Sequence, residues 1–168
     1  MDVASLLVEI YGRIPELAEG AVGGLPAESL AEQPGPGRNT IAWLVWHLAR
    51  VEDSHIAELL DGVQLWESGD WARKMGLAPD PDDTGYAHTA DQVAGVQPPS
   101  GEVLLEYLGA VHERTLAYLS GLTAADLDEV VDRRWEPPVT LGVRLVSIAD
   151  DCIQHAGQAA YVRGLLDA

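Results

Sequence analysis

The chain has 168 residues, and 27 acidic against 10 basic residues give it a formal net charge of -17. This charge argues against nucleic acid and anionic membranes as partners, and the single cysteine excludes an internal disulfide. No apolar run approaches the roughly 20 residues of a membrane-spanning helix, and the start lacks the pattern of a secretory signal. We therefore expect one cytoplasmic domain spanning residues 1–168.

The first half of the chain predicts two amphipathic helices. Apolar side chains recur every three or four residues from Val3 to Ala18, which indicates one buried face. The side chains of this face are Val3, Leu6, Leu7, Ile10, Ile14 and Leu17. A second helix should run from Ile41 to Leu59, capped by Asn39 or Thr40. The glycines and prolines between these two helices predict an irregular connection.

The second half predicts two further helices. Residues 62–99 should form a long loop with one short helical piece, and loops of this length are often functional. A third helix should begin at Ser100, and Thr123 with Asp126 resembles a capping box that opens a short helix to about Val131. Thr140 should cap the last helix. No strand is predicted, and the fold class is an all-α four-helix bundle with long crossover connections, because a simple up-down bundle uses short turns.

Three residues on two of these helices suggest a metal site. Asp151 and His155 lie four residues apart, so both side chains project from the same face of the last helix. His47 lies in the apolar second helix and supplies a third ligand from another element. Two imidazoles and one carboxylate suit zinc, nickel or iron, and three protein ligands leave room for water or substrate. We expect a divalent metal, zinc or nickel, at His47, Asp151 and His155.

The same residue types also have ordinary structural interpretations. An Asp-x-x-x-His pair is common by chance, and a single helix histidine often has only a structural partner. His55 follows His47 by eight residues and could lie on the surface or near the same cavity. His112 is interpreted as a residue on a helix flank, Asp150 as a solvated carboxylate and Cys152 as a small core residue.

Two segments of the sequence resemble the DinB-like superfamily. The run from Asn39 to Asp53 is similar to the second helix of that superfamily, in which a histidine in an aromatic setting binds metal; His47 takes this place. The run from Thr140 to Gln158 is similar to its last helix, and His155, Gly157 and Gln158 fit its signature. The segment 77–96 and the connector that begins at Leu122 resemble a subgroup with mycothiol-dependent transferases and maleylpyruvate isomerase.

This resemblance implies a metal-dependent thiol S-transferase that uses mycothiol or a related thiol on small electrophilic molecules. Many superfamily members have histidine where this chain has Asp151, whereas the isomerase-like members have a carboxylate. The alternatives are a non-catalytic metal- or ligand-binding bundle and a metal-dependent hydrolase. A homodimer is also expected. Four residues are candidates for orienting the thiol or the substrate: Arg50, Tyr86, His88 and Arg144.

Overall fold

The computed structural model describes residues 1–166, in which four long helices pack together. The helices are α1 (Val3–Val22), α2 (Ala27–Leu30), α3 (Ile41–Leu59), α4 (Leu65–Ser68), α5 (Trp71–Lys74), α6 (Ala90–Ala94), α7 (Gly101–Leu119) and α8 (Leu141–Leu166). This architecture confirms the predicted all-α bundle of four main helices. Within residues 1–166 no helix combines the length and apolar character that a membrane span requires.

The four long helices form a closed ring in the order α1, α7, α3, α8. Tyr11 donates a hydrogen bond to the carbonyl of Leu145, and Arg163 reaches the carbonyl of Gly20, so α1 and α8 run parallel. Because His47 meets His155 while Arg144 meets His55, α3 and α8 run antiparallel. Two of the three connections join helices on the diagonals of this ring, α1 with α3 and α7 with α8, whereas α3 and α7 are neighbours. The two diagonal connections must cross an end of the bundle, which requires long segments, as predicted.

Helix ends follow the expected chemistry at most positions. The hydroxyl of Thr40 accepts from the backbone N–H of Trp43 at 3.0 Å, which makes Thr40 the N-cap of α3. Thr140 accepts weakly from the N–H of Val143, at 3.4 Å. Ser100 occupies the N-cap position of α7, but its side chain makes no capping hydrogen bond there.

The connector before α8 differs from the prediction of a short helix to Val131. The carboxylate of Asp126 accepts from the backbone N–H and the hydroxyl of Thr123, but the N–H of Asp126 donates to the carbonyl of Thr123, so only half of a capping box forms. Only a 3-10 turn at Asp126–Asp128 follows. The chain then forms an antiparallel hairpin of two short strands, β1 (Val130–Asp132) and β2 (Val139–Thr140). The region 62–99 likewise contains three short helices, α4, α5 and α6, where one was expected.

The buried face of α1 is rotated from the predicted one. Tyr11, Ile14 and Ala18 are fully buried, whereas Leu6 and Leu17 are 57% and 42% exposed. The sequence contains two overlapping apolar stripes on this helix, and the phenol of Tyr11 selects one of them by its buried hydrogen bond to α8. The other stripe remains at the surface.

Candidate metal centre

The structure brings His47, Asp151 and His155 together at the interface of α3 and α8. One potential ligand atom from each side chain lies within 4.8 Å of the other two. Nε2 of His47 is 3.9 Å from Oδ2 of Asp151, and Nδ1 of His155 is 3.4 Å from the same oxygen. The spacing of four residues on α8 and the antiparallel packing of α3 produce this convergence.

Backbone carbonyls orient both imidazole rings. Nδ1 of His47 donates to the carbonyl of Thr84, and Nδ1 of His155 lies 2.8 Å from the carbonyl of Asp151. With a proton on Nδ1, each neutral ring presents a lone pair on Nε2. Metal-binding histidines characteristically use one nitrogen for the ion and the other for a carbonyl or carboxylate. Both rings therefore have the tautomer that a metal ligand needs.

One carboxylate oxygen of Asp151 lacks a hydrogen-bond partner within residues 1–166. Its Oδ2 atom is buried and accepts no hydrogen bond from any residue in the range 1–166. A buried oxygen without a partner is costly, because it has lost its water without replacement. A divalent cation between the two histidines would satisfy this oxygen, and a donor set of two nitrogens and one oxygen suits such an ion. The residues present thus fit a metal ion.

The three side chains influence one another's protonation. Burial lowers the pKa of His47. The hydrogen bond to Thr84 acts to raise this pKa, and the charge of the neighbouring His155 acts to lower it. Burial also opposes the charged form of His155, but the carbonyl and the nearby carboxylate of Asp151 outweigh burial and raise the pKa of His155. Burial acts to raise the pKa of Asp151, but the proximity of His155 and the charges of the histidines outweigh burial, so the pKa of Asp151 is lowered.

Aromatic rings and a loop enclose the site on one side. The ring of Trp43 stacks on that of His47, with centroids 4.7 Å apart. The loop that carries Thr84 covers the other edge, and at Gly85 a Cβ atom would lie 2.8 Å from Nδ1 of His47 and 2.9 Å from the ring of Trp46. Only glycine therefore allows the loop to come this close. The enclosure keeps water away from His47, which is 6% exposed.

The remaining histidines and the cysteine lie outside this cluster. His55 contacts Arg144 on α8, about two turns along α3 from His47. His112 faces the fully buried Glu52, with Nδ1 3.9 Å from Oε1, and neither atom has a hydrogen-bond partner within the described chain. Cys152 is fully buried, and burial raises the pKa of its thiol, which agrees with the prediction of a core residue.

The four candidates for orienting a thiol or a substrate occupy different environments. Arg50 is completely buried and holds the loop at residues 80–83, so it has a structural role. Tyr86 is 89% exposed. His88 lies near the triad, where Nδ1 accepts from the indole of Trp43 and Nε2 contacts Asp83 at 2.8 Å. Arg144 belongs to an ion-pair cluster with Asp132 and does not touch the triad.

Sequence reasoning missed the parts of the site that come from the loop. Thr84 contributes a backbone carbonyl, which no side-chain pattern reveals. Gly85 stands in a segment rich in Asp and Gly, where a glycine signals a turn but not the helix that it will contact. The available signals were the length of the loop, which suggested a function, and the resemblance over segment 77–96; neither identified Thr84 or Gly85 as a neighbour of His47.

Comparisons with known proteins identify the family and the fold. A family model described as the DinB superfamily matches residues 11–159. The crystal structure of a conserved protein from Enterococcus faecalis is 34% identical in sequence and superimposes with a TM-score of 0.91. That similarity covers 99% of this chain and 98% of the other. A search of curated proteins finds none that matches.

Proposed function

The chain belongs to the DinB superfamily, and on that premise we propose that it is a divalent-metal-dependent transferase that joins a mycothiol-type thiol to small electrophilic molecules. The observation that carries the proposal is the convergence of the side chains of His47, Asp151 and His155. Within residues 1–166, the Oδ2 atom of Asp151 has no hydrogen-bond partner. Three protein ligands leave coordination positions open, as a catalytic site requires and a purely structural site does not. The ion proposed here is zinc or nickel.

The proposed reaction forms a sulfur–carbon bond and breaks the bond between that carbon and its leaving group. The thiol loses its proton, and the leaving group departs with the bonding electrons. A bound divalent ion would supply Lewis acidity that lowers the pKa of the thiol and favours its nucleophilic form. The chain holds the imidazoles of His47 and His155 in place through carbonyls, and Trp43 with the loop at Gly85 excludes water from one side.

Metal binding is the first test, and the chain offers a matched pair of variants. Asp151→Asn removes the charged oxygen at the site, whereas Asp150→Asn changes an exposed neighbour on the same helix. Isothermal titration with zinc should show one site per wild-type chain. Loss of a contact outside the ligand shell typically reduces metal affinity by roughly 10–100-fold. Asp151→Asn removes a proposed ligand, so its zinc affinity should fall by more than this. Asp150→Asn should bind like wild type, and equal affinity in all three proteins would contradict the site.

Activity is the second test. Zinc-loaded protein, mycothiol and 1-chloro-2,4-dinitrobenzene should release chloride and form the thioether, and His155→Ala should reduce the rate to background. Full activity of His155→Ala would refute the proposed site. Turnover of an ester or amide without any thiol would instead identify a hydrolase, because an open zinc position also activates water. Metal binding without either reaction would identify a non-catalytic metal-binding bundle.

A further inference from the structure

An open cleft of about 520 Å³ lies between α8 and the β1–β2 hairpin. Its lining includes His55 of α3, Ser147 and Arg144 of α8, and Arg134 and Trp135 of the hairpin. None of these residues belongs to the triad. The cleft has the size of a small-molecule site, since such sites typically enclose about 300–1,000 Å³.

The cleft and the triad are both built from α3 and α8 and lie next to each other along these helices. Ser147 precedes Asp151 by four residues on α8, which is one helical turn or about 6 Å along the axis. The antiparallel packing of α3 and α8 places His47 opposite His155 and His55 opposite Arg144. A molecule seated in the cleft and extended along α8 would therefore reach towards the proposed metal ion.

Two hydrogen-bond donors in the cleft have no acceptor within residues 1–166. Nη1 of Arg144 donates to Nδ1 of His55 at 2.7 Å, so the neutral imidazole carries its proton on Nε2. Burial, followed by the charge of Arg144, lowers the pKa of His55 and favours this neutral form. Nη1 of Arg134 is the second donor, because its other nitrogens bind carboxylates. Both donors suit an anionic oxygen.

Two carboxylates beside the cleft, those of Asp132 and Glu58, already form ion pairs with Arg134 and Arg144. Asp132 accepts from Nη2 of Arg144 and from Nη2 of Arg134, each at 2.8 Å. Glu58 accepts from Nη1 of Arg144 at 3.0 Å and from Arg134 at 3.3 Å. Two arginines thus balance two carboxylates, so an anionic ligand meets donors here in a chain whose net charge is -17.

The remaining wall of the cleft is apolar. Trp135 is 65% exposed and Val143 is 55% exposed, and Val139 completes the surface. Exposing a tryptophan of this size to water is unfavourable, and an aromatic ring offers a flat face to a planar ligand. The hairpin therefore provides a flat apolar surface beside the two hydrogen-bond donors of His55 and Arg134.

We infer that this cleft binds the electrophilic substrate as a small carboxylate with a flat apolar part, which lies against Trp135 while its carboxylate accepts from His55 and Arg134. This inference rests on the proposed function for the reaction, but the binding step is independent of turnover. The carboxylate is then held about two helical turns from Asp151, at the level of Arg144 on α8, and the rest of the molecule extends towards the triad.

Binding can be measured with 1-naphthoate as the probe and 1-naphthalenemethanol as its uncharged counterpart. In ¹⁵N-resolved NMR spectra, 1-naphthoate should shift the indole N–H signal of Trp135, assigned by its loss in Trp135→Ala. The buried indole of Trp66 should not move. The uncharged probe should bind at least tenfold more weakly, because a hydrogen bond to a charged group contributes about 1.5–3 kcal/mol.

Two variants with matched controls locate the contacts. Trp135→Ala should weaken 1-naphthoate binding about fivefold, the loss expected for one aromatic contact, and Arg134→Gln about tenfold. Tyr161→Ala, which removes an exposed aromatic ring elsewhere on α8, and Arg13→Gln, which removes an exposed arginine on α1, should stay within twofold. No binding, equal binding of both probes, or equal effects of variants and controls would overturn the inference.

The binding measurement separates the two proposals when it is made on metal-free and zinc-loaded protein. Binding of 1-naphthoate with no thiol transfer would contradict the proposed function and leave the cleft as a carboxylate site. Thiol transfer with no binding at the cleft would overturn the inference and leave the metal-dependent reaction in place.

Discussion

Gly85 is the residue at which the loop and the candidate metal centre depend on each other most directly. Its φ of 90° lies in the region that favours glycine, and a Cβ atom here would collide with both His47 and Trp46. Gly85→Ala should therefore displace the loop or the imidazole of His47. We expect a zinc affinity reduced at least tenfold, measured by isothermal titration, because the carbonyl of Thr84 would lose its contact with His47.

Gly24→Ala separates backbone strain from contact with the site. Gly24 has a similar φ of 76°, but a Cβ atom at this position would meet no other atom within 4 Å. This variant should lower the free energy of unfolding by about 1 kcal/mol, the usual cost of a side chain at positive φ, with unchanged zinc affinity. Equal losses of zinc affinity in the two variants would show that the contact with His47 is unimportant.

The site residues on the helices could be predicted from the sequence, whereas those on the loop could not. Asp151 and His155 share one helix, so their proximity follows from a spacing of four residues. His47 was chosen as the third ligand from its place in an apolar helix, and the resemblance supported the same choice. Gly85 and Thr84 meet His47 across almost 40 residues of chain, and this contact depends on how the intervening loop packs. No local pattern encodes such a contact.

At the scale of elements, buried charges hold the long α3–α7 connection against the bundle. Arg50 donates to the carbonyls of Pro81 and Asp83, both at 3.1 Å. Asp53, one turn further along α3, accepts from the backbone N–H groups of Leu65 and Trp66 at 2.9 and 2.8 Å. These bonds satisfy backbone groups at the start of α4 and in the loop that leads to Gly85.

Arg50→Met tests this network. Methionine has a similar length but no donors, so the carbonyls at residues 80–83 and the carboxylate of Asp53 would lose a buried partner. The free energy of unfolding should fall by about 3–5 kcal/mol in urea denaturation. Amide exchange should accelerate at residues 80–88. The exposed Arg38→Met is the control and should change stability by less than about 0.5 kcal/mol; an equally small change in Arg50→Met would contradict the role of the network.

Long helices could be predicted from the sequence, whereas short elements could not. The apolar period in α3 and α7 extends over five turns, so chance alternatives are few. The strands Val130–Asp132 and Val139–Thr140 are too short to show a period, and an irregular register joins them. On α1 the period was correct, but the choice between two apolar stripes depended on Tyr11 reaching Leu145.

At the scale of the whole molecule, the unburied stripe of α1 joins the outer face of α8. Leu6 and Ile10 border a groove of about 360 Å³ with Val146 and Ile153. Val146 is 65% exposed, and no charged group interrupts these four side chains along the groove except Asp150 at its edge. Contiguous exposed apolar surface of this kind marks interaction sites more often than isolated exposed residues do.

The expected homodimer would bury this surface, and its strength should depend on salt. Each chain carries a net charge of -17, so two copies repel, and salt screens the repulsion over a Debye length of about 10 Å at 0.1 M. Sedimentation equilibrium should show a mass of twice 18.0 kDa, with tighter association as sodium chloride rises. Val146→Glu should yield monomers because it places a charge in the apolar contact, whereas Tyr86→Glu, at an exposed position on the loop, should leave the dimer intact. A monomer at every salt concentration would contradict this expectation without affecting zinc binding, because the groove and the metal triad involve different residues.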